Sequence, residues 1–80
     1  MSELLETARA QVEAGDYKGA TKTLERVEVL ARDDLDEARG LLDLATAINE
    51  KGGHRVHKDC DWLIFKAEGI IRSFENVSVH

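Results

Sequence analysis

Eighty residues leave room for one domain, and a chain this short buries too little surface to carry a wide margin of stability, ~3–5 kcal/mol from a single core. The composition, 42% hydrophobic and 34% charged with no proline and six glycines, describes a folded, helix-friendly chain and excludes a disordered one. One cysteine excludes an internal disulfide, no apolar run is long enough to span a membrane, and a net charge of −5 disfavours a nucleic-acid partner.

The charge is unevenly placed. Residues 1–50 hold 12 acids and 6 bases, whereas residues 51–80 hold 4 acids, 5 bases and all three histidines. Met-Ser-Glu-Leu-Leu-Glu carries acid where a secretory leader carries base before a long apolar run. With the lone thiol, that points to a reducing, cytoplasmic setting.

The first predicted element is a helix over about residues 2–14. Leu5, Ala8 and Val12 recur at helical spacing with Leu4 beside them, and Glu3, Glu6, Arg9 and Glu13 fill the other side. Gly15 ends it and Asp16 is placed to cap the next helix, a tight hairpin. Helix two is predicted over 17–32, on a stripe of Tyr17, Ala20, Leu24, Val27 and Ala31 that Val29 and Leu30 widen. Helix three is predicted over 34–51. Asp34 with Glu37 has the form of a capping box, and Leu35, Ala38, Leu41, Leu42, Ala45 and Ile48 line its face. Residues 52–57 read as a short linker. Helix four is predicted over 58–74 on Cys60, Leu63, Ile64, Ala67, Ile70, Ile71 and Phe74, with residues 76–80 a frayed tail. Gly19, Gly40 and Gly69 fall inside helices at ~1 kcal/mol each against alanine, which argues for close helix crossings at two of them at least. The fold expected is all-α, a single four-helix domain over 1–80.

Gly15-Asp16-Tyr17 at the turn, then Ala20, Leu24 and Val27, with Ala8 as a small residue and Leu4 in the usual Trp position, resemble a tetratricopeptide-type hairpin over residues 1–34. Thr7 and Gln11 depart from the family's large apolar and Tyr positions, and Arg32 stands where its Pro usually ends the repeat. What the resemblance implies is a module that binds other proteins.

Three constellations bear on chemistry. His54, His57 and Cys60 stand at three-residue steps and are candidate zinc ligands, with Asp59 or Asp61 adding oxygen and His80 a further nitrogen. Exposed loop histidines and a small core thiol account for the same residues without a metal. His57 before Cys60 also has the order of a base and a nucleophile, but no orienting group is evident. Arg55, Lys58, Lys66 and Arg72 are the candidate basic patch for a nucleic acid. No glycine-rich phosphate loop is present, and the crowded acids of 33–37 suit a helix start better than acid–base work.

Trp62 and Phe65 lie off the helix-four stripe, on the side of Gly69, and large aromatics are the substance of interface hot spots. The function expected is therefore a non-catalytic protein-interaction module without cofactors. Its surface would be Trp62, Phe65, Gly69 and Arg72, with self-association through the last helix, as a homo-oligomer, the expected form and another protein the other partner. A metal-binding regulator using His54, His57 and Cys60 is the alternative, and a small nucleic-acid-associated protein a more distant one.

Overall fold

A computed structural model describes residues 3–52 and 57–78, the side chains at 57–59 and 76–78 excepted. The described chain is four α-helices and no strand: α1 Glu3–Glu13, α2 Tyr17–Ala31, α3 Leu35–Gly52 and α4 His57–Ser78. The all-α, four-helix expectation holds, with ends displaced by one residue except at α4. That helix continues through the start of the expected tail to Ser78. Residues 79–80 and most of the expected linker, 53–56, lie outside the described residues.

The α1–α2 hairpin closes as its residues require. Asp16 N–H donates to the Gln11 carbonyl at 2.8 Å and Gly15 N–H to that of Val12 at 3.1 Å, the paired bonds of a Schellman stop. Gly15 holds φ +82°, a left-handed conformation in which a Cβ is penalised. Asp16 then caps α2, its carboxylate accepting from Gly19 N–H at 3.1 Å. Across the hairpin, the Thr23 hydroxyl donates to Gln11 Oε1 at 2.6 Å, so Gln11 works as a polar clamp between α1 and α2.

The start of α3 departs from a full capping box. Asp34 Oδ1 accepts from Asp36 N–H at 3.0 Å and Glu37 N–H at 3.4 Å, but Asp34 N–H donates to the Ala31 carbonyl instead of to Glu37. Glu37 is buried and its Oε2 has no hydrogen-bond partner. Its place in the first turn of α3 sets it at the positive end of the helix dipole, which offsets part of the cost of burying it.

α2 and α3 form the middle of the domain; α1 packs on α2 and along α3, and α4 packs chiefly on α3 and also on α2. Among the described residues the backbones of the flanking helices, α1 and α4, do not approach each other. One core joins all four, with Leu24, Val27, Leu41, Ile48, Cys60 and Leu63 its largest fully buried side chains. Ala8, Ala20, Ala31, Ala38, Ala45 and Ala67 are fully buried as well, and these small residues let the helix axes approach closely. Gly40 continues the theme: a Cβ there would stand 2.7 Å from Leu5 Cδ1, so α1 lies directly on this turn of α3. Gly19 is similarly close to Asp16 and Gln11, whereas Gly69 faces open space. Two of the three helix glycines thus sit at close approaches.

Three expectations about faces change. Val29 and Leu30 are 59% and 51% exposed, so they do not widen the α2 stripe. Thr21 and Glu28 widen the stripe at its other edge, the Thr21 hydroxyl donating to the Tyr17 carbonyl at 2.8 Å. On α3, Leu44 is buried while Leu42 is only partly so, because the face turned to α2 and α4 is centred on Leu41, Ala45 and Ile48.

Gly15→Ala tests the hairpin stop. Nothing lies within 4 Å of the added methyl, so the loss is one of backbone conformation alone. Urea melts are expected to show about 1 kcal/mol lost.

Candidate functional site

The outward side of α4 follows from its inward side. Cys60, Leu63 and Ala67, at three- and four-residue steps, are fully buried, and Ile64, Ile70 and Ile71 pack partly against the same core. Rotating about the helix at 3.6 residues per turn brings Trp62, Phe65, Gly69 and Arg72 round to the opposite side. All four are exposed there, Phe65 at 71% and Trp62 at 47%. The structure thus brings together the four residues singled out as a contact surface, and both aromatics lie outside the core. The Lys66 ammonium lies 5.7 Å from the Trp62 ring centroid, a cation–π contact that braces the indole over its own helix.

Beside this face runs a groove between α2 and α4 of about 440 Å³, lined by Glu28 and Arg32 on one wall and by Phe65, Lys66, Gly69, Ile70 and Ser73 on the other. Gly69 opens its outer edge, having no side chain and no neighbour within 4 Å of a Cβ position. The α2 wall is polar and paired. Glu28 is 3% exposed, and Arg32 one turn on reaches back to it, with Nη2 donating to Oε1 at 3.1 Å and to Oε2 at 3.2 Å. The guanidinium remains mostly in solvent, so the pair compensates a buried carboxylate while keeping positive charge at the rim.

Sequence reasoning missed Glu28, Arg32 and Ser73. The signal was present: Thr21, Leu24 and Glu28 share helical spacing with the buried stripe, and an acid there with an arginine four residues later is the pattern of a buried anion reached by its own helix.

The metal and thiol candidates do not assemble into a site within the described residues. His54, His80 and the side chains of His57, Lys58 and Asp59 lie outside them. Cys60 is fully buried, with no surface for an external ion or substrate, and Asp61 is exposed. No group of three His, Cys, Asp or Glu is close enough to hold an ion among the described residues. Of the basic set, Arg55 lies outside the description, and Lys66 is turned to Trp62. No helix among the described residues is long and apolar enough to cross a membrane.

No family model matches the chain, and no curated protein or solved structure is significantly similar to it.

Arg32→Ala is expected to lower stability by about 1–3 kcal/mol, because it strands the buried Glu28 carboxylate. Adding Glu28→Gln, which removes that charge, is expected to recover most of the loss; urea melts of the two variants against wild type measure both steps.

Proposed function

We propose that this chain is a non-catalytic helical module that binds protein through the outward face of α4, using Trp62, Phe65, Gly69 and Arg72. The observation that carries the reading is the pair of aromatics one turn apart on the side of α4 away from the core, the more exposed of them bordering the α2–α4 groove. Leaving a phenylalanine 71% exposed forgoes burial worth about 1.5–3 kcal/mol, which is recovered when a partner covers it. Gly69 supports the same reading. A helix-interior glycine with open space around it adds nothing to the packing of the domain and costs about 1 kcal/mol against alanine, yet it lets another backbone or a large side chain come close. The rim supplies mixed charge through Arg32, Lys66, Glu68 and Arg72, the usual polar surround of an apolar contact.

The likeness of residues 1–34 to a tetratricopeptide-type hairpin carries the same expectation of protein binding. The reading needs no cofactor and no catalytic residue, and it fits a small accessory protein in the cytoplasm.

A photo-activated cross-linking amino acid at Phe65 or Trp62 in the living host tests it. Discrete protein adducts are expected from both positions and none from the exposed controls Glu13 and Lys18. An absence of adducts from Phe65 and Trp62 contradicts the proposal.

A further inference from the structure

We draw no further inference here: the strongest candidate, the outward face of α4 with the α2–α4 groove beside it, carries both signs of charge, Arg32, Lys66 and Arg72 against Asp61, Glu68 and Glu75, and nothing in the structure shows what covers it.

Discussion

The seating of α4 by Cys60, Leu63 and Ala67 is the constraint on which the rest of the surface depends. With these three fully buried against α3 and α2, the helix has no rotational freedom left: a slip by one residue would drag Lys66 toward the core. Trp62, Phe65 and Gly69 are thereby committed to the outside, and Lys66 is left at the boundary, where its ammonium reaches the Trp62 ring. The aromatic face is thus a consequence of core packing. Its position on α4 cannot shift without unseating the domain.

The core that does this seating is thin. Among the described residues, six of the 15 buried apolar ones are alanines, which bring helices close but bury little area each. Polar groups take up sites that larger domains fill with apolar ones: Thr21 bonds back to its own helix, Glu28 is reached by Arg32, and Glu37 lies at the start of α3 with one oxygen unpartnered. Such a domain gains disproportionately from further burial, and an apolar face on its longest helix is where that gain is available. The charge distribution points the same way, with the acidic excess on α1–α3 and α4 nearly neutral.

Much of this architecture is legible in the residues alone. Helical periodicity places all four elements, and Gly15-Asp16 announces a stop and a cap that the structure realises bond for bond. The off-stripe position of Trp62 and Phe65 is equally plain, although spacing cannot say whether a helix is covered on two sides. That depends on α1, which packs on the opposite flank and leaves α4 open. Where reading by hydrophobicity fails, it fails for one reason. Near the end of α2 the residue type and the helical angle disagree: Val29 and Leu30 are apolar but point outward, while Glu28 is charged but points inward. Angle prevails because the helix is rigid and Arg32 makes burial of the carboxylate tolerable. The groove is harder to foresee still, since its two walls come from helices that are distant in sequence.

The proposal that the outer face of α4 is a protein-contact surface, with a second copy its simplest occupant, is open to a direct reading from the chain's single tryptophan. Trp62 is half-exposed in the isolated molecule and would lose solvent on pairing. Its fluorescence emission, followed on unmodified protein from micromolar to millimolar concentration, is expected to shift to shorter wavelength along the same curve as the rise in molar mass. An emission maximum that stays fixed across that range would contradict the account.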